Sequence, residues 1–187
     1  GYKLAQKFGH KLITPVPSAL PLESKNQLSH LLQGVKLEAE VTSIIDGKKI
    51  KSRTDEVMFT KYGVSGPAVL NVSREVSISI HRDSGKNIEL QLNFFPGKTR
   101  EEVAEVLHAR WKKRPTQTIE KSLYGIFPNK VPSALLFIAG IPAETLSKNL
   151  STSQIDKLLQ LLTMFSLPIS NTRGWNEAEF TAGGIDT

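Results

Sequence analysis

Residues 60–70, TKYGVSGPAVL, are the run whose residue types and spacing come nearest to chemistry. Ser65 suits a helix N-cap, Pro67 suits the first helical turn, and Gly63 and Gly66 free the backbone on either side. The run predicts a strand-to-helix junction, and amides at such a helix start, with Lys61 and Tyr62 beside them, can face an anionic or electron-rich group. Ser65 is not a hydrolase nucleophile. A nucleophile elbow needs Gly-x-Ser-x-Gly, and Pro67 stands where the last glycine belongs. Neither GxGxxG nor GxxxxGK[ST] occurs, so no standard loop for a dinucleotide or nucleoside triphosphate is encoded.

Zero cysteines exclude disulfides, thiol nucleophiles, iron–sulfur clusters and cysteine-based zinc sites. His10, His30, His81 and His108 show no HxxxH or HExxH spacing, so no metal centre is expected. The net charge of +6 would suit a polyanion, but the basic residues are spread along the chain. Their densest cluster, Trp111-Lys112-Lys113-Arg114, falls at a predicted helix end, where cations oppose the helix dipole. With no nucleic-acid-binding motif beside it, nucleic acid is the disfavoured partner. No apolar run approaches the roughly 20 residues that span a bilayer, and the first residues are neither signal nor transit peptide. A cytoplasmic protein is expected.

Positioning falls to two kinds of element. Residues 1–9 read as a helix with Leu4, Ala5 and Phe8 on one face and Gly9 as its stop. A short strand at 10–13 follows, and three prolines between 14 and 21 then bar helix and central strand alike. Alternation from Val35 to Val41 predicts a half-buried strand, Asp46 and Gly47 a hairpin turn, residues 77–80 and 88–94 further strands, and 83–85 a second turn. After Pro96 and Gly97 the period becomes helical. Thr99 with Glu102 and Ser151 with Gln154 are capping boxes, ahead of Val103, Val106, Leu107 and Trp111 in one helix and Ile155, Leu158, Leu159, Leu162 and Phe165 in the other. Between them Pro132 opens an apolar helix that Gly140 stops. The fold class is α+β: a small antiparallel β-sheet or barrel lobe followed by a helical lobe.

Residues 177–187 predict a strand running into a glycine-rich turn, where Gly183 and Gly184 allow close approach of a ligand or another segment. An uncapped first helix and a strand that stops at such a turn are expected of a piece of a larger enzyme, unable to bind a cofactor or complete a reaction alone.

Three runs resemble one family: GYKLA at 1–5 with Gly9, His10 and TPVPSALPL at 14–22, then FTKYGVSGPAVL at 59–70, then AEFTAGGI at 178–185. It is the family of bacterial aminoacetone oxidase-like flavoproteins, also called BaiN-like or NAD(FAD)-utilising dehydrogenases. The resemblance implies an FAD-dependent oxidoreductase whose discontinuous flavin-binding domain is interrupted by an insert of a β-barrel-like part and a helical part. On that pattern residues 1–18 are a stub of the flavin domain, 19–97 a β-rich lobe, 98–170 a helical lobe and 171–187 the return strand. It also implies that Thr181, Ala182, Gly183 and Gly184 lie near the flavin in the parent, and that Lys61, Tyr62, Ser65 and Gly66 face the cleft. Many relatives have His where Lys61 stands. No FAD is expected on this chain alone, and its partners are the flavin domain and the parent's small-molecule substrate. The rival expectation is a free-standing binding module whose basic helical lobe takes an acidic protein or nucleic acid.

Overall fold

The computed structural model describes residues 1–83 and 85–186. Its elements begin with α1 (Tyr2–Lys7), β1 (Leu12–Ser18), β2 (Leu22–Glu23) and α2 (Gln27–Leu31). A long hairpin of β3 (Lys36–Ile45) and β4 (Lys48–Thr60) precedes β5 (Gly63–Ser65), α3 (Pro67–Arg82) and β6 (Ile88–Asn93). Next come α4 (Arg100–Lys113), α5 (Ile119–Ser122), α6 (Lys130–Ala139) and α7 (Thr152–Thr163), then β7 (Phe165–Pro168), β8 (Asn171–Thr172) and β9 (Phe180–Ile185).

Alternation builds the barrel. Ala39 and Val41 in β3, Val57 and Phe59 in β4, and Leu90 and Leu92 in β6 point inward and are fully buried. Asp46 and Gly47 both take positive φ, 50° and 76°, as a type I′ hairpin turn requires. The sheet runs β7-β6-β3-β4-β5-β2-β8, antiparallel at every pairing. One segment closes it. β7 pairs with β6, and the Ile169 amide donates to Ile88 O at 2.9 Å. One residue later the Ser170 amide donates to Glu23 O at 2.9 Å, and β8 pairs with β2 at the opposite edge. Ser24 Oγ also donates to Pro168 O at 2.7 Å. Residues 165–172 therefore form the last stave, which leaves neither long edge of the sheet open.

The strand expected at 77–80 is corrected: it lies inside α3. Ser77, Ile78, Ser79 and Ile80 alternate as a strand would, but Ser77 stands one helical turn from Ser73 on the buried side of α3. Val69, Val72 and Val76 pack on the barrel, while Ser73 Oγ accepts from the Leu20 amide at 3.0 Å and Ser77 Oγ donates to Pro17 O at 2.5 Å. α3 is thus buried on both sides, between barrel and β1. The turn expected at 83–85 includes Ser84, which lies outside the described residues.

Both capping boxes form, at Thr99 with Glu102 and at Ser151 with Gln154. α6 ends at Gly140 in the left-handed conformation, φ 68°. Phe165, expected on the stripe of α7, instead begins β7, because α7 ends at Thr163 with Met164 as its C-cap, and the burial beyond alternates. A single buried cluster joins Phe59 and Leu92 of the barrel to Leu107, Leu135 and Leu162 of the helices. Phe94 meets Phe127 and Phe165 at the seam, its ring centroid 6.5 and 6.4 Å from theirs.

β1 and β9 form a separate two-stranded ribbon. Residues 14–18, expected in a crossing barred from helix and central strand, lie in β1, a strand of the ribbon that contains Pro15 and Pro17. In a two-stranded ribbon each strand has a free edge, so an absent N–H need not break the ladder, and Pro15 falls in the register shift between Ile13 and Val16. Gly183 and Gly184, expected in a turn, lie within β9. α1 buries none of its residues, so Leu4 and Phe8 form a face without cover in this chain.

Candidate functional site

Two places gather the residues that the sequence singles out. The first is the loop between β4 and β5. Lys61 there is exposed, and Tyr62 is half-buried beneath the Arg173 guanidinium, 4.4 Å from the ring centroid. Arg173 in turn pairs with Glu177 at 2.7 Å and with Glu23 at 3.1 Å. The hydrogen bonds that Arg173 donates to Glu177, and then to Glu23, hold its pKa above the ordinary value. Tyr62 Oη lies 3.5 Å from Glu177 Oε2, the outer limit of a hydrogen bond, while Tyr62 O accepts from the Ser24 amide at 2.9 Å. Sequence reasoning missed Arg173, Glu177 and Glu23. Arg173 and Glu177 are spaced i, i+4, but no helical pattern surrounds them to make that spacing informative.

The N-cap expected at Ser65 is corrected: Gly66 is the N-cap, with φ 96° and no side-chain cap bond. Ser65 is buried in β5, paired with Met58. Pro67 does take the first helical position. A Cβ at Gly66 would stand 2.7 Å from Glu56 O, and one at Gly63 only 2.2 Å from Leu22 O. Both glycines serve close packing of backbone on backbone.

The second place is an open groove of about 580 Å³ where β9 passes the first turns of α3. Lys51, Asn71, Arg74, Glu179, Phe180 and Thr181 line it. Lys51 comes from β4 and Arg74 from α3, the latter paired with Glu75 at 2.5 Å. Thr181 is exposed here, whereas Ala182 and Gly184 are buried. Gly183 is exposed, but a Cβ on it would lie 2.7 Å from Arg82 Nη2 and 2.8 Å from Thr14 O. Arg82 Nη2 donates to Thr14 O at 2.6 Å and Ala182 O at 3.2 Å, stitching α3 to the ribbon. The close approach at Gly183 is therefore to protein.

The two places are consecutive along the chain, since Glu177 touches Tyr62 and Glu179 lines the groove. Two cations, a carboxylate, an amide, a hydroxyl and an exposed ring can orient a flat polar molecule. Among the described residues no group of three or more His, Asp or Glu could hold a metal ion, and no helix is long and apolar enough to cross a membrane.

Comparison with known proteins gives three findings. The family described as "HI0933-like protein barrel and H2TH domain" matches residues 16–180. The 3-dehydro-bile acid delta(4,6)-reductase of Clostridium scindens is 29% identical over the whole chain, which spans 45% of that protein. The ribosomal RNA dihydrouridine synthases of Haemophilus influenzae and Escherichia coli are 28% and 27% identical over the whole chain, which spans 43% and 44% of their lengths. The chain thus spans less than half the length of these curated relatives.

Proposed function

The chain belongs to the family of HI0933-like protein barrel and H2TH domains, and from that premise we propose that it is the substrate-side insert of a larger FAD-dependent oxidoreductase, without catalysis of its own. One observation carries the reading. β1 and β9 pair from Leu12 with Ile185 to Ser18 with Phe180, so the barrel-and-helix body is entered and left at one place. A body inserted into another domain needs that geometry. On this reading residues 1–18 and the return segment after β8 belong with the flavin-binding domain of the same cytoplasmic protein, and the barrel and helices between them, with β8 as the last barrel strand, are the insert.

A delta(4,6)-reductase and a dihydrouridine synthase share the sense of their names, the addition of hydrogen to an unsaturated ring. Flavin, when bound, supplies hydride chemistry of that kind. The residues present fit the border of a flavin site rather than its phosphate cradle, because the space at Gly183 is already filled by Arg82 and β1. Thr181, with Phe180 beside it, would stand at the flavin side, while Lys51 and Arg74 would orient a polar or anionic small-molecule substrate across the groove. Lys61 and Tyr62 would face the same cleft.

The test uses the full reading frame. A GxGxxG segment upstream and a further flavin-binding segment downstream are expected, and the protein carrying both should purify yellow while residues 1–187 purify colourless. Stoichiometric flavin on the 187-residue chain, or a reading frame lacking both segments, would overturn the reading.

A further inference from the structure

α4 turns Val103, Leu107 and Trp111 into the core, and one step round it Val106, Ala109, Arg110, Lys113 and the C-cap Arg114 make a second, outer stripe. The stripe is apolar at its start and cationic at its end, and from Val106 to Arg114 the helical rise covers about 12 Å. With Phe95 and Ile126 opposite, it lines an open groove of about 600 Å³ that has no carboxylate among its lining residues. Arg110 is held by donating Nε to Ser122 O and Nη2 to Tyr124 O. Lys113 and Arg114 are exposed and take part in none of the ion pairs among the described residues. The apolar surface continues beyond α4. Ile126 also lines a second open groove, of about 470 Å³, where Leu37, Pro96 and Phe127 carry it across the seam between helices and barrel. There the one lining cation, Lys36, is paired with Glu56 at 3.3 Å, and Glu38 adds a negative charge.

A helix dipole accounts for cations at the end of α4, but not for apolar surface left open from there to the barrel. A polyanion would find Lys113 and Arg114, leave Phe95 and Ile126 in water, and meet Glu38 further along. An amphipathic helix needs a row of anchors on a straight stripe, whereas these two grooves meet at Ile126. A rigid ring system fills one groove without following the surface into the next. One flexible alkyl chain with an anion at one end matches both the unpaired charge and the apolar path. A path joined through a single residue suits one chain, hence a free fatty carboxylate and not a two-chain phospholipid. We propose that this trough binds a long-chain fatty carboxylate, its head on Lys113 and Arg114 and its chain along Val106 and past Ile126 toward Pro96. The trough shares no residue with the groove at β9 and α3, so the inference is independent of the reading above.

Isothermal titration calorimetry of the 187-residue chain with octanoate, decanoate, laurate and myristate, each below its critical micelle concentration, tests it. Binding should be one to one, and each added pair of methylenes should tighten it severalfold. The gain should persist beyond decanoate, because roughly ten carbons already span the about 12 Å along α4. Lys113→Glu/Arg114→Glu should raise Kd for laurate about tenfold or more and leave that for uncharged dodecanol nearly unchanged. Lys48→Glu/Lys49→Glu makes the same charge change on the β3–β4 hairpin and should keep most of the affinity for laurate. Ile126→Gln should weaken myristate more than octanoate. Circular dichroism establishes that each variant is folded. No binding of any chain, no gain beyond decanoate, equal losses in the two double variants, or equal competition by polyglutamate, a single-stranded oligonucleotide or the rigid ring acid abietate would overturn the inference.

Discussion

Phe59 in β4 and Phe180 in β9 are both strand aromatics, yet Phe59 is 0% exposed and Phe180 67%. The contrast extends to whole regions. Barrel strands and helices turn their largest apolar side chains into one continuous cluster. α1 and the ribbon instead carry Tyr2, Leu4, Phe8, Ile13 and Phe180 outside, with Phe8 77% exposed. Apolar side chains gathered on one exposed face mark a contact surface more often than a finished exterior. The body is held by its own core, and the ribbon is held to it by hydrogen bonds at Arg82 and Ser77 and by the buried Val16 and Ala182, neither of which is part of that core.

The sharpest way to break this comparison is to truncate one ring in each region. Phe59→Ala should lower the unfolding free energy of the chain by about 3–5 kcal/mol, the usual range for a buried aromatic. Phe180→Ala should stay within about 0.5 kcal/mol. Denaturant melts measure both, and a comparable loss at Phe180 would mean that the ribbon folds as part of the core.

A pair of glycines sharpens it further. Gly63→Ala sets a Cβ 2.2 Å from Leu22 O in the β2–β5 pairing, at φ 151°. It should destabilise the whole body by at least about 1–3 kcal/mol, the scale of local backbone strain. Gly183→Ala meets backbone only in the ribbon, Thr14 O and Ile13 O at 2.8 and 2.9 Å, and beyond it only the flexible end of Arg82, with Nη2 at 2.7 Å. Hydrogen exchange should then quicken along β1 and β9 while the barrel amides keep their protection. Faster exchange throughout would erase the distinction between the regions.

What the sequence made legible follows the range of the interactions. The hairpin at Asp46 and Gly47 and the capping boxes at Thr99 and Ser151 are fixed within a few residues, and all three form. Ser77 misled because its partner, Pro17 O, is 60 positions away, and without it the alternation of Ser77, Ile78, Ser79 and Ile80 reads as a strand. Barrel closure by residues 165–172 was hidden for the same reason, since its bonds reach back to Ile88 and Glu23. At the candidate site the sequence singled out Tyr62 but not the Arg173 stacked on it. It singled out Thr181, but not the Lys51 and Arg74 that share its groove.

Smaller effects separate real caps from apparent ones. Thr99→Ala and Ser151→Ala should each lower stability by about 1 kcal/mol, because each hydroxyl accepts from the N3 amide of its helix. Ser65→Ala should cost less than either, since α3 is capped by Gly66 with no side-chain bond. Equal losses in all three, measured by urea melts with unchanged m-values, would restore a capping role to Ser65.

The smallest effect on stability belongs to Lys61 and Tyr62, and it is the most informative about function. Lys61 is exposed, and the Tyr62 hydroxyl has only a 3.5 Å approach to Glu177. Lys61→Ala and Tyr62→Phe should therefore move the stability of the 187-residue chain by no more than about 0.5 kcal/mol. Tyr62→Phe keeps the ring beneath Arg173, so the stack survives and only the phenolic proton is lost. If the loop faces the cleft of a flavin enzyme, both changes should lower turnover in the full-length protein. A fall in kcat with KM unchanged would place the lost interaction in the transition state, and a rise in KM alone would place it in substrate binding. Arg173→Gln adds the control, since it removes the stacked guanidinium but leaves Lys61 and the phenol in place. A loss confined to Arg173→Gln would show that the stack positions the loop and that neither Lys61 nor the Tyr62 hydroxyl touches substrate. Full turnover in all three variants would confine the residue 60–70 junction to its structural work of starting α3.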